Sequence, residues 1–553
     1  MVRRFLSVLA ALCALATPAL AKDELVLAMN QAPGTMNPLI SSTLARSLVS
    51  NMTARPLTAY DPSWKLICLV CTELPTIENG HARVVDLPGD GKGGGKKGLE
   101  IDFELKPMVW GDGVPVTAKD YAFTVEVGKS PVSGVASAEF YNRLLKFEIK
   151  DDLHFTATID RVTFDYNDWA FVPLPAHIEK PIFDANPAEY RNKTAYDTDP
   201  TNKGLYFGPY RIAELVPGNR LALEANPTWI GEKPYFKRIV FKIIESTAAL
   251  EANLLSGNVD YVLGELGLTL DQALAFEKRH KDRFDVVYKP ALIYEHIDVK
   301  LENPLLADRR VRQAILMAID RKAISEKLFE GKQPVADSGV SPLDPMYDAG
   351  GKQYPYDPAA AKKLLDEAGF KDIKNGVRQS AKGERFSIEL GTTAGNRIRE
   401  QVAQVIQSQL RSVGIELRIK AEPPRLFSVS LDHRTFTGLA MYAWVSSPGG
   451  VPHSTLYSTE IPSEKNGWSG QNYPGYASPA MDKAIDAAEH ELDFAKRRAL
   501  FAEIQRIHSE DLPVLPLFFR VDPFVFPKQL KGVVPTGTLN SSTLWVEQWR
   551  WED

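Results

Sequence analysis

The residues able to do chemistry are few and scattered. Cys68 and Cys71 stand as C-L-V-C, and the third cysteine is Cys13. A redox pair would want a helix N-terminus to lower its thiol pKa, and zinc would want two further ligands nearby. The flanking Leu66, Ile67, Leu69 and Val70 look like a buried apolar run instead. The pair is read as a disulfide candidate, with two buried free thiols as the alternative. G-D-G-K-G-G, within Gly89 to Gly98, fits G-x-G-x-x-G formally. A dinucleotide site needs that motif to end a strand and open a helix. Here it precedes Leu99 to Leu105, which alternates with period two, so the glycines are read as a hairpin loop. No G-x-S-x-G elbow or H-E-x-x-H occurs, and the nine histidines do not cluster. No metal site and no cofactor are expected. Seventy acids guarantee chance pairs, and an acid/base dyad is defined by distance in the fold rather than by spacing.

Asn396, Arg397 and Arg399 sit at the start of a predicted helix, where the helix dipole and a guanidinium together suit an anion. Asn472, Tyr473 and Tyr476 form an aromatic-polar loop of the kind a peptide, sugar or opine pocket uses.

Elements must position these groups. Glu24 to Met29 reads as a strand, and Thr117 with Asp120 as a capping box. Residues 55–200 read as short strands and loops with one clear helix. Strands are predicted from about 205 to 245, then a helix over Thr247 to Leu255 closed by Gly257. Val311, Ala314, Ile315, Ala318 and Ile319 form a helical apolar stripe capped by Asp308. Asp357-Pro358 opens a helix to Ala368, and Ile398 to Val413 forms another, closed by Gly414 and followed by a strand at Glu416 to Ile419. One long helix is predicted from Pro479 to Ile507, and a β-like run from Pro516 to Phe526. Alternating strands and helices imply an α/β fold.

The 553 residues carry 65 basic and 70 acidic side chains, 44% hydrophobic and 10% aromatic residues. This is the composition of a globular protein with a sizeable core. The slight acidity argues against a nucleic-acid binder. Arg3 and Arg4, the apolar run Phe5 to Ala16 and Ala19-Leu20-Ala21 compose a signal peptide over 1–21, cleaved after Ala21. Its apolar run is too short to span a membrane.

Five segments, in order, resemble the solute-binding proteins of bacterial ABC importers, specifically the dipeptide- and oligopeptide-binding family (family 5). They are Trp110-Gly111-Asp112-Gly113 through Asp120, Phe207-Gly208-Pro209-Tyr210 with Asn226-Pro227, Ser256-Gly257-Asn258-Val259-Asp260, Val311 to Arg321, and Tyr356 to Phe370. The resemblance implies a two-lobed periplasmic-binding-protein fold with an extra subdomain in lobe I. Lobe I would comprise 22–289, with the subdomain at about 55–200, and a return over 513–553. Lobe II would be 290–512, with crossovers near Ala291 and Pro513. It implies a monomeric, non-enzymatic periplasmic protein that takes a peptide or peptide-like solute in the interlobe cleft and delivers it to ABC permease subunits of the inner membrane. An oligosaccharide, opine or metal chelate is the alternative ligand, and a secreted hydrolase the alternative class.

Peptide-binding relatives commonly carry an aspartate shortly after the tryptophan matching Trp444, which pairs with the peptide ammonium. Here Trp444-Val445-Ser446-Ser447 follows, with no acid before His453. Hydroxyls accept hydrogen bonds but do not neutralise a buried ammonium. Trp444, Ser446, Ser447, Asn396, Arg397, Asn472 and Tyr473 are the expected ligand-binding residues, together with His296, just past the first predicted crossover.

Overall fold

The computed structural model describes residues 22–88, 96–538 and 540–552. The signal peptide over 1–21 and most of the Gly89 to Gly98 loop lie outside the described residues. The strands flanking that loop, Ala82–Asp86 and Lys97–Glu104, pair antiparallel.

One ten-stranded sheet runs through the molecule. Its order is Tyr210–Val216, Arg220–Ala225, Arg238–Ile243, Glu24–Met29, Tyr261–Val262, Val514–Pro527, Phe284–Val299, Leu439–Val445, Ser387–Thr393 and Glu416–Glu422. Glu24–Met29 is parallel to its neighbours on both sides, which is why it reads as an almost unbroken apolar run. Two long strands in the middle, Phe284–Val299 and Val514–Pro527, lie antiparallel. The ladder between them shifts register twice, at Glu295/His296 and, more widely, just after Pro290. Between the pairs Pro290–Val521 and Tyr294–Phe519, three residues of the first strand oppose Arg520 alone. Such a bulge bends the strand and frees ladder groups. Leu292 donates its N–H to Gly537 (2.8 Å), and its carbonyl accepts from the Ser446 N–H (2.9 Å). Gly537 has φ +73, and a Cβ there would lie 2.6 Å from the Pro290 carbonyl oxygen. Gly537→Ala is therefore expected to cost about 1–3 kcal/mol in urea unfolding; an unchanged midpoint would count against this close approach.

A separate four-stranded sheet, Ala82–Asp86, Lys97–Glu104, His154–Ile159 and Leu144–Ile149, carries its own aromatic packing of Phe103, Phe155 and Trp169. Helix Ala118–Lys129 covers this region, opened by the Thr117–Asp120 capping box. Helix Ala176–Ala185, with Pro181 inside it, corrects the expectation of one helix here. Elsewhere the caps follow the sequence. Asp308, Asp357 and Asn396 each accept a backbone N–H at a helix start, and Gly257 and Gly414 take positive φ at helix ends. The predicted long helix is two: Pro479–His490 and Phe494–Asp511. Asp493 causes the break, since its carboxylate accepts the Lys496 N–H as the cap of the second helix.

Cys68 and Cys71 form a disulfide pair, their Cα atoms 5.3 Å apart, inside the span such bridges use.

Candidate functional site

The seam along the two long strands carries the buried charge. Glu295, on the first strand, has its carboxylate gripped at both oxygens by Arg399, at 2.6 and 3.0 Å. Arg399 also donates to Thr393 Oγ1 (2.8 Å). Burial works against the Glu295 anion, but the Arg399 charge and its two bonds, with the fields of Arg520 and His296 behind them, hold it below the ordinary value. The pair lines a cavity of about 90 Å³ that also meets Asn30, Gln31, Glu265, Asn396 and Arg520. This space has the scale of a few waters. Glu265 accepts the Ser542 N–H (3.0 Å) and hydroxyl (2.9 Å) at one oxygen, and its other oxygen has no partner. Burial raises this carboxyl to about 7.

The serine loop ends the strand Leu439–Val445. Ser446 and Ser447 line a second, smaller cavity on the other side of the long strands, with Leu292, Ser341, Asp344 and Phe519. Trp444 is half-buried and stacks on Tyr473 at 5.9 Å.

Several expected site residues have other work. His296 is fully buried, with Nδ1 against the Tyr294 carbonyl (3.0 Å) and its ring packed on Tyr294 and Tyr442. It lines neither cavity, so its place just after the crossover aims it into the core. Asn472 is also fully buried. Its amide donates to the Tyr457 and Tyr476 carbonyls and accepts the Tyr476 N–H, so it holds its own loop together. Tyr473 donates its hydroxyl to Asp432 (2.9 Å). Asn396 borders the larger cavity, and its side chain accepts the Arg399 N–H as the helix cap. Arg397 is exposed and borders neither cavity; Arg399, two residues on, faces Glu295 instead. The structure thus gathers Asn396 and Arg399 in one cavity and Ser446 and Ser447 in the other. Sequence reasoning missed Glu295, Glu265 and Asp344. Glu295 left a legible trace, a charge inside the apolar run Ala291 to Val299, where an acid must be paired to be buried.

Far from the seam, the loop after the four-stranded sheet touches the break between the last two long helices. The Phe164 N–H donates to the Glu489 carbonyl (3.1 Å), a helix-end acceptor with no intrahelical donor. Arg161 lies 3.6 Å from the Glu489 carboxylate, which also meets His453 at 2.7 Å. Arg497 sits over the Phe164 ring at 4.2 Å. Among the described residues no group of three or more His, Cys, Asp or Glu is placed to hold a metal ion, and no helix is long and apolar enough to cross a membrane.

Two lobes sharing one sheet, joined by a pair of antiparallel strands with polar cavities along the seam, define the class of two-lobed solute-binding proteins. A profile for bacterial extracellular solute-binding proteins, family 5, middle region, matches residues 95–467, and the chain belongs to that family. It is 26% identical over 530 residues to the oligopeptide-binding protein AppA of Bacillus subtilis (strain 168), covering 92% of this chain and 88% of that one. The crystal structure of the oligopeptide-binding protein from Thermus thermophilus complexed with pentapeptide matches with TM-score 0.85 and 29% identity over 96% of each chain. NikZ from Campylobacter jejuni, in complex with Ni(L-His), shares the fold at TM-score 0.80 and 23% identity, covering 96% of this chain and all of that one.

Proposed function

We propose that this chain is the periplasmic substrate-binding component of an ABC importer. It captures a peptide between its lobes, without turnover, and passes it as a monomer to inner-membrane permease subunits. The observation that carries this reading is the likeness, over 96% of the chain, to a protein bound to a pentapeptide. A non-peptide solute such as an opine or chelate is the second reading, favoured by the absence of an acid between Trp444 and His453. Native mass spectrometry of the mature protein, purified from the periplasm without added ligand, tests both. A stoichiometric mass in the peptide range is expected. A bound opine, sugar or chelate would overturn the peptide reading, and product formed from a peptide would overturn the binding class.

We put the first hinge at Ala291 and the second at Arg520 rather than near Pro513. Leu515, Leu517 and Phe518 pack in one apolar cluster with Ile297 and Leu390, whereas Phe524 and Phe526 pack with Leu27. Closure is then a bend at the bulge, and a ligand touching both lobes favours it by differential affinity. The Phe164–Arg497 contact latches the closed form. Phe164→Ala is expected to weaken ligand binding about two- to fivefold and to raise the radius of gyration of the unliganded protein. Scattering identical to the parent's would remove the latch.

A further inference from the structure

The smaller cavity has a volume of about 20 Å³, room for one water-sized group. Beside Ser446 and Ser447 it is lined by Ser341 and Asp344. Asp344 is 8% exposed. One of its oxygens accepts the Met346 N–H and the other the Gly449 N–H, both at 2.8 Å, so the serine loop itself orients the carboxylate. Burial outweighs these two bonds and raises the carboxyl, and no cation acts on it.

A second buried acid is likewise without a counter-charge. Asp168 belongs to the loop after the four-stranded sheet. It accepts from the Thr58 hydroxyl (3.5 Å) and is raised to about 6 by burial and by its neighbour Asp165, again with no cation. The Tyr60 hydroxyl lies within electrostatic reach of both carboxylates. A buried carboxylate without a counter-charge is costly. A cation arriving with the ligand would remove that cost, and the three serine hydroxyls supply acceptors for its N–H groups.

We propose that this cavity takes a primary ammonium group of the ligand, with Asp344 as its counter-charge. The proposal rests on the peptide reading and answers the want of an acid at Ser447: the carboxylate comes from another segment and reaches the same loop. The ammonium's source is the peptide's α-amino terminus or a lysine side chain.

Calorimetry with the mature protein tests it on three probes: pentaalanine, N-acetyl-pentaalanine, and the acetylated peptide with lysine at its first position. Pentaalanine is expected to bind roughly 10- to 100-fold more tightly than its acetylated form, the range of a charge-assisted hydrogen bond. Asp344→Asn should collapse that ratio to about one, and Ser447→Asp added to it should restore the preference. Given the preference, the lysine peptide separates the sources, matching pentaalanine if a side chain is accepted and the acetylated form if only the terminus is. If Asp344→Asn does not fold, Ser447→Lys takes its place. Its own ammonium fills the cavity and should abolish the preference. Equal binding of free and acetylated peptide by the parent, or a preference that survives these variants, overturns the proposal while leaving peptide capture standing. Binding of none of the three overturns both.

Discussion

Arg399→Ala is expected to destabilise the protein by about 3–5 kcal/mol in urea unfolding, the cost of leaving a buried carboxylate without its partner. Glu295 and Arg399 are both about nine-tenths buried or more, so solvent screens the pair little. Arg520 does not replace the lost guanidinium, because it already lies 3.0 Å from Asp522. The loss belongs to the unpaired charge rather than to the salt bridge as such. The double variant Glu295→Gln, Arg399→Met removes both charges and keeps the side-chain volumes, so it should recover most of the stability. A double variant as unstable as Arg399→Ala would mean that packing and the Thr393 bond, not charge, carry the effect.

Glu265→Gln is expected to stabilise the protein, and to do so only as the pH rises. The folded carboxyl titrates at about 7 against an ordinary 4.5. Below 4.5 both folded and unfolded forms are protonated and the residue costs nothing. Between 4.5 and 7 the folded state binds more protons than the unfolded one, so stability falls as pH rises through that window. Above 7 the full penalty applies, about 3 kcal/mol. Glutamine keeps an acceptor for the Ser542 N–H and hydroxyl while carrying no charge. Its advantage should therefore be absent at pH 4 and largest at pH 8. An advantage independent of pH would show that the unpartnered oxygen of Glu265, and not its ionisation, is the source of the cost.

The pattern of legibility has a physical basis. Local elements were readable because their causes are local. Asp308, Asp357-Pro358 and Gly414 act within one helical turn of the ends they fix. The one long helix that proved to be two failed at Asp493, a residue that serves as well on a helix surface as at a cap. The site was less readable. Asn472 and Tyr473 have the types of a binding loop, but their polar atoms are consumed by Tyr457, Tyr476 and Asp432. The sequence held no sign of those partners, which tertiary packing alone selects.

By itself, the sequence determined the family, the caps and bounds of several helices, and the want of an acid beside Trp444. Those properties follow from residue types, short spacings and segment order. Only the tertiary structure decided which charges meet. Glu295 reaches Arg399 across 104 residues, and Asp344 accepts from Gly449 across 105. Such pairs are set by how strands register and lobes pack, and nothing in local spacing encodes them. The serine loop therefore holds no acid of its own, while the fold brings one to it from a segment far earlier in the chain.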